Sequence, residues 1–277
     1  MNSTMAIGID IGGTGIKGAI IDLATGELLS DRVKLATPAG GRPKDIIETA
    51  RELLTTVSSS TVPSGAGSSG AGSSRAGSSG AGSSAASPLP IGICFPAVIK
   101  NGHTMSAANI SDKWIGLSAE KLFEESLGVS IHFVNDADAA GYAEAQFGAA
   151  KGVPGVVLLT TLGTGIGSAL LNDGVLVPNT ELGHLEIDGH DYETRAAYSA
   201  KDRENLSWEK WAGRLQKYYT TLEKLFSPDL FVVGGGVSKN HEDFLPLLNL
   251  KTRIIPAVHR NNAGILGAAA LAVKYPG

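Results

Sequence analysis

The residue types best suited to chemistry appear within the first twenty positions. Ile7 to Ile21 reads I-G-I-D-I-G-G-T-G-I-K-G-A-I-I. A short apolar run ends at Asp10, a turn of Gly12, Gly13, Thr14 and Gly15 follows, and Lys17 opens a second apolar run. Two such runs joined by so tight a turn predict a β-hairpin. Glycines there let backbone N–H groups approach a phosphate with no Cβ in the way. Asp10 suits Mg²⁺, which takes oxygen ligands and often only one or two carboxylates. Lys17 suits a phosphate oxygen as a point charge. The pattern is not a P-loop, since no Gly-Lys-Ser/Thr closes it, and it is not a dinucleotide fingerprint, since a strand follows.

The motif is repeated. Thr161 to Asn172 reads T-L-G-T-G-I-G-S-A-L-L-N, so Gly163, Thr164 and Gly165 stand where Gly13, Thr14 and Gly15 stand in the first copy. Two lobes are expected, each offering one glycine loop to a shared cleft. Lys17 is matched by Gly167, so the loops differ chemically.

Further candidates lie where strands end. Asn135-Asp136 sits at a strand-to-helix junction, where α/β sites concentrate. Asp136 there can accept the proton of an attacking hydroxyl, or one of the pair can simply cap the helix. Asp138, one turn inward, is expected to be structural. Glu181 and His184 are spaced to bond neighbouring hydroxyls; His184 as a zinc ligand is disfavoured, since Cys94 is the only cysteine and no second histidine clusters with it. Gly234-Gly235-Gly236 follows a strand and either admits a nucleotide or makes a tight turn. Lys210, Arg214 and Lys217, with Arg195, Lys201 and Arg203 before them, form either a solvated face or a track for a polyanion.

These residues need elements to position them. Gly26 to Ala36 reads as a third strand, and Ile46 to Val57 follows a helical period. Leu89 to Phe95 and Val129 to Val134 read as strands, and a helix opens at Asn135 and runs through Phe147. Ser207 to Phe226 places Trp208, Trp211, Leu215, Tyr219, Leu222 and Phe226 on one helical face. Asp229 to Val233 and Thr252 to Pro256 read as strands, and Asn261 to Val273 as a last helix whose small residues pack closely. Between Ser58 and Ser87 the composition changes to Gly, Ala and Ser, with four five-residue units from Gly65 to Ser84, which reads as a flexible surface insertion.

At 277 residues the chain can bury a large core, as one domain or two lobes. A net charge of −4 gives no general reason to bind nucleic acid. No signal pattern or membrane-length apolar run is present. With a single cysteine, expected in the core, no internal disulfide can form, and a cytoplasmic setting is expected.

Taken in order, Asp10 to Lys17, Asn135-Asp136, Leu162 to Gly165 and Glu181-Leu-Gly-His184 resemble the ROK family of sugar kinases and repressors. The phrases Ala107 to Ile110, Pro178 to Glu186, Pro228 to Phe231 and Gly234 to Ser238 are similar to its polyphosphate glucokinase branch. The resemblance covers nearly the whole chain apart from 58–87. It implies a two-lobed α/β fold of the actin-like ATPase and hexokinase (ribonuclease H-like) type, with a cleft between the lobes. The expected lobes are 1–134 and 135–262, with 263–277 a helix packing back on the first. It implies transfer of a phosphoryl group from inorganic polyphosphate or ATP, with Mg²⁺, to the 6-hydroxyl of glucose and also of mannose. Asp136 is then the base, and Asn109, Asn135, Glu181, His184 and Glu193 contact the sugar. Asp10, Gly12, Gly13, Thr14, Gly15, Lys17, Gly163, Thr164 and Gly165 hold donor phosphates and metal, and Gly235 and Gly236 lie near a nucleotide. Many ROK proteins carry a cysteine-rich zinc loop after the histidine; here His190-Asp-Tyr-Glu193 stands instead, so no zinc is expected. An ATP-only glucokinase is the rival enzyme. A sugar-sensing repressor, the non-enzymatic alternative, needs a helix-turn-helix ahead of Ile7, where this sequence has six residues, so an enzyme is the expectation.

Overall fold

The first strand explains the layering. In β1 (Met5–Ile11) the residues Ile7, Ile9 and Ile11 alternate with Ala6, Gly8 and Asp10. Successive strand residues face opposite sides, so the isoleucines enter one core and the small residues another. The computed structural model describes residues 4–60 and 89–275. The Gly/Ser-rich insertion therefore lies, from residue 61 on, outside the described residues.

β1 pairs antiparallel with β2 (Ile16–Asp22), and Asp10 stands directly opposite Lys17. The expected third strand is two short ones, β3 (Glu27–Leu28) and β4 (Val33–Leu35), paired with opposite ends of β2. Ser30 causes the break: its Oγ accepts the Ile20 N–H at 3.0 Å, taking a place the backbone ladder would have filled. Helix α1 (Pro43–Ser58) covers the isoleucine face. Then come β5 (Ile91–Phe95), the hairpin β6 (Ile99–Lys100) and β7 (His103–Thr104), α2 (Ala119–Leu127) and β8 (His132–Asn135). The first sheet runs β3-β2-β1-β5-β8, with β1, β5 and β8 parallel.

Helix α3 (Asp136–Phe147) leaves this sheet and leads to the second hairpin, β9 (Val156–Leu162) and β10 (Ile166–Asn172), followed by β11 (Val175–Val177). A two-residue Asp188-Gly189 turn joins β12 (Glu186–Ile187) to β13 (His190–Asp191). Helices α4 (Glu193–Ala196), α5 (Tyr198–Arg203) and α6 (Trp208–Phe226) come next, then β14 (Leu230–Gly234), α7 (His241–Phe244), β15 (Arg253–Pro256) and α8 (Ala263–Lys274). The second sheet runs β11-β10-β9-β14-β15, with β9, β14 and β15 parallel. The hairpin repeat is thus the visible part of a larger one. Each sheet is an antiparallel glycine hairpin extended by two parallel strands.

α6 buries Trp211, Leu215, Tyr218, Tyr219 and Leu222 against the second sheet, where Tyr219 Oη bonds Thr160 Oγ1 at 2.6 Å. Two helices lie between the sheets. α8 packs on the first sheet so tightly that a Cβ on Gly8 would sit 1.9 Å from the Ile265 carbonyl oxygen, and one on Gly92 1.9 Å from that of Ala268. α3 packs on the second sheet, where a Cβ on Gly141 would meet the Ala169 methyl at 2.4 Å. The helices touch at Gly267, which leaves room for the Ala139 carbonyl.

Candidate active site

The first hairpin closes through Gly12 N–H to Gly15 O at 3.1 Å. Thr37 Oγ1 donates to Gly12 O at 2.5 Å and anchors the turn. Lys17 Nζ lies 3.0 Å from Asp10 Oδ2, a pair that follows from their opposed positions on β1 and β2. Cys94 is buried behind Asp10, Sγ to Oδ1 3.6 Å, and burial pushes its thiol pKa well up. α8 begins at the same point: a Cβ on Gly264 would be 3.0 Å from Asp10 Cγ. Asn109, in a left-handed conformation at φ 57°, sets its carbonyl where a Cβ on Gly13 would clash at 2.8 Å. Asn109 is thereby held against the first glycine hairpin.

The second hairpin closes the same way, Gly163 N–H to Gly165 O at 3.0 Å. Ser199 fastens its tip, its N–H on Gly163 O at 3.0 Å and its Oγ on Thr164 O at 2.6 Å. Glu193 lies against it, accepting the Ile166 N–H at 2.7 Å and filling the space a Cβ on Gly165 would need. Gly167 answers the missing second lysine. A Cβ there would stand 2.9 Å from that of Ala137, so no side chain fits beside α3. Gly235, at φ 81°, backs onto Leu162, where a Cβ would come within 2.3 Å of its carbonyl oxygen, whereas Gly236 faces open space.

Between the hairpins stands the first turn of α3. Asn135 caps it, its Oδ1 accepting from Ala137 N at 2.8 Å and Asp138 N at 3.0 Å, while its Nδ2 donates to Ala97 O at 2.9 Å. The capping role is therefore filled, and one side-chain N–H is left for a ligand. Asp136 is partly exposed in the cleft. Desolvation first, then the charges of Asp10 and Glu181, push its pKa up to about 7 against the pull of the Ala137 N–H. Burial raises Asp138 to about 7 as well, and its Oδ2 accepts the Asn179 N–H at 2.7 Å. Asn179 in turn bonds both the N–H and the carbonyl of Ile99, each at 2.7 Å, and so ties the loop before Glu181 to the β6–β7 hairpin.

Glu181, His184 and Glu193 form an electrostatic group. Burial raises the Glu181 pKa, the His184 charge lowers it and Glu193 raises it. His184 is held by Asp191, Nδ1 to Oδ2 2.8 Å, and that bond is the main reason its pKa is raised. Asp191 escaped the reading of the sequence, although its signal was present. Asp-Gly between two short strands marks a tight hairpin, and Asp188 and Gly189 both take positive φ, 54° and 75°. The hairpin returns Asp191 beside His184, so the ring is oriented by a carboxylate here.

For Mg²⁺ the donor set is one carboxylate, Asp10, beside a glycine hairpin, with its Oδ2 paired to Lys17. Among the described residues no group of three or more His, Cys, Asp or Glu gathers to hold a metal. This fits an ion that keeps water and takes its other ligands from phosphates. No helix of the described residues is long and apolar enough to cross a membrane.

The ROK family model matches residues 80–200. The polyphosphate glucokinase of Mycobacterium tuberculosis is 40% identical over 267 residues, 96% of this chain and 90% of that protein. The chain belongs to the ROK family. Among solved structures, the inorganic polyphosphate/ATP-glucomannokinase of Arthrobacter sp. strain KM is 46% identical, with a TM-score of 0.85 over 98% of this chain and 99% of that one. A ROK family glucokinase from Streptomyces griseus, solved with glucose and AMPPNP, shares the fold at 22% identity, with a TM-score of 0.76 over 98% of this chain and all of that one. This ROK protein accordingly has the two-lobed α/β fold of actin-like ATPases and hexokinases, and its paired sheets are the two lobes.

Proposed function

We propose that this protein is a sugar kinase that transfers a phosphoryl group from inorganic polyphosphate or ATP to the 6-hydroxyl of glucose, and also of mannose. The observation that carries the reading is Asp136: a partly exposed carboxylate between two glycine hairpins, its pKa near 7, with Asp10 and Lys17 to one side and Glu181, His184 and Glu193 to the other. The likeness to a polyphosphate glucokinase and a glucomannokinase supports the choice of donor and sugar.

Asp136 accepts the hydroxyl proton as the sugar oxygen attacks phosphorus and the bond from phosphorus to the donor bridging oxygen breaks. A base with a pKa near the working pH balances availability against strength. Lys17 neutralises the phosphate charge, and the N–H groups of Gly12 to Gly15 and Gly163 to Gly165 hold the phosphates. Asp10 would hold Mg²⁺, which neutralises donor charge when bound. Glu181, His184, Glu193, Asn109 and the free N–H of Asn135 orient the sugar. Gly236 leaves open space for a nucleotide when ATP is the donor.

Asp136→Asn tests the assignment. It keeps the shape and removes the base, so kcat should fall by roughly 10²–10⁴ while glucose affinity measured by calorimetry stays near that of the parent. Retained turnover would remove Asp136 from the role.

A further inference from the structure

We propose that a polyphosphate donor leaves the first glycine hairpin along β4, over Lys34 and Arg32 toward Arg260, and not along the outer face of α6. This rests on the polyphosphate reading above.

The register comes first. Asp10 pairs with Lys17, and Lys17 pairs with Lys34, so the three stand side by side on one face of three adjacent strands. Directly opposed residues lie roughly 5 Å apart. Lys34 also leans over the turn: a Cβ on Gly15 would lie 2.9 Å from its Cε. Its ammonium is thus the next cation outward from Lys17 at the donor hairpin.

Arg32 lies two residues before Lys34 along the chain. Its Nη1 donates to Asn262 Oδ1 at 2.8 Å, which brings it to the start of α8, the helix whose Gly264 abuts Asp10. Arg260 is in the same single turn, Arg260–Asn262. Lys34, Arg32 and Arg260 are exposed, and among the described residues none of them pairs with a carboxylate. They form an unneutralised row that begins at the reacting phosphate.

The α6 region is different. Arg203 and Arg214 both pair with Glu204 and Lys217 pairs with Asp188, while Lys201 lies 4.2 Å over the Trp208 ring and, among the described residues, Arg195 and Lys210 pair with no carboxylate. A polyanion would have to displace carboxylates from Arg203, Arg214 and Lys217, and exposed pairs already satisfied offer it little; none of the six is joined to Lys17 by strand register. The direct continuation from Lys17 to Lys34 therefore favours β4.

The test compares two double variants, Lys34→Gln with Arg32→Gln and Lys201→Gln with Lys210→Gln, each checked for unchanged thermal melting. Glucose phosphorylation is followed with long-chain polyphosphate, tripolyphosphate and ATP in turn. The β4 variant should raise KM for the long chain roughly fivefold or more. Its loss should be larger for the long chain than for tripolyphosphate, and the salt dependence of long-chain KM should flatten by about one unit of slope per cation removed. The α6 variant should leave long-chain KM in place. An unchanged β4 variant, or a long-chain loss confined to the α6 variant, overturns the route while leaving the donor reading intact. A parent protein that makes product from ATP and none from polyphosphate overturns both.

Discussion

A carboxylate in the first turn of a helix is ordinarily held low, because free N–H groups and the helix dipole favour its charge. Asp136 goes the other way. The Ala137 N–H does pull its pKa down, but desolvation and the charges of Asp10 and Glu181 outweigh it and leave the group near 7. The sign of the activity profile follows. The base must be ionised, so kcat/KM for glucose should fall as pH drops through about 7 and level off above it. The Asp136→Asn protein should lack that acid limb in whatever turnover remains. Mg²⁺ on Asp10 would cancel one of the charges holding the pKa up, so saturating Mg²⁺ should move the limb to lower pH. A limb insensitive to the substitution would assign it to another group. Asp10, Lys17, Asp136, Glu181 and His184 stand out in the sequence by type and spacing, and in the fold they act on one another electrostatically. What could not be read was how they are held. Asn135 offered both a cap and a sugar contact, and only the bonds to Ala137, Asp138 and Ala97 show that the cap is filled. Asp191 was passed over because its partner lies across a turn.

At the scale of elements, glycines decide how closely α8 approaches the first sheet. Gly8 and Gly92 sit on neighbouring parallel strands in register, and each faces an α8 carbonyl. Gly92→Ala would place a methyl 1.9 Å from the Ala268 oxygen, a rigid backbone atom. Relief requires α8 to shift, and overpacking of this kind costs about 3 kcal/mol or more. The melting temperature should then drop by roughly 6 °C or more, which calorimetry would show. An unaltered melting temperature would mean that α8 does not dock as described. The apolar run ending at Asp10 announced a strand, but not that its isoleucines and its small residues face two different layers. The small residues of α8 announced close packing. The interruption between β3 and β4 was hidden, because it depends on a single hydroxyl, Ser30, replacing a ladder bond.

Over the whole molecule, the duplicated hairpin is the trace of two sheets built to one plan, each with its glycine turn at the end where a parallel strand meets a helix. The helices cross over between them: α3 leaves the first sheet to pack on the second, and α8 leaves the second to pack on the first. Asp136, the proposed base, therefore sits on the element that joins the lobes, and Asn179 fastens the loop before Glu181 to Ile99 across the same boundary. This crossing could not be read from periodicity, because α8 is apolar and small all round and α3 buries nearly every residue, alanines and carboxylates alike, so neither presents a single apolar stripe that names its partner. The central claim is that these parts make a sugar kinase, and product formation tests it most directly. Glucose and Mg²⁺ are supplied with polyphosphate and with ATP in separate reactions, and glucose 6-phosphate is measured. The account predicts product with polyphosphate and with ATP, lost in both when Asp136 becomes Asn. Donor hydrolysis that proceeds equally well without sugar, with no phosphorylated glucose from either donor, would contradict it.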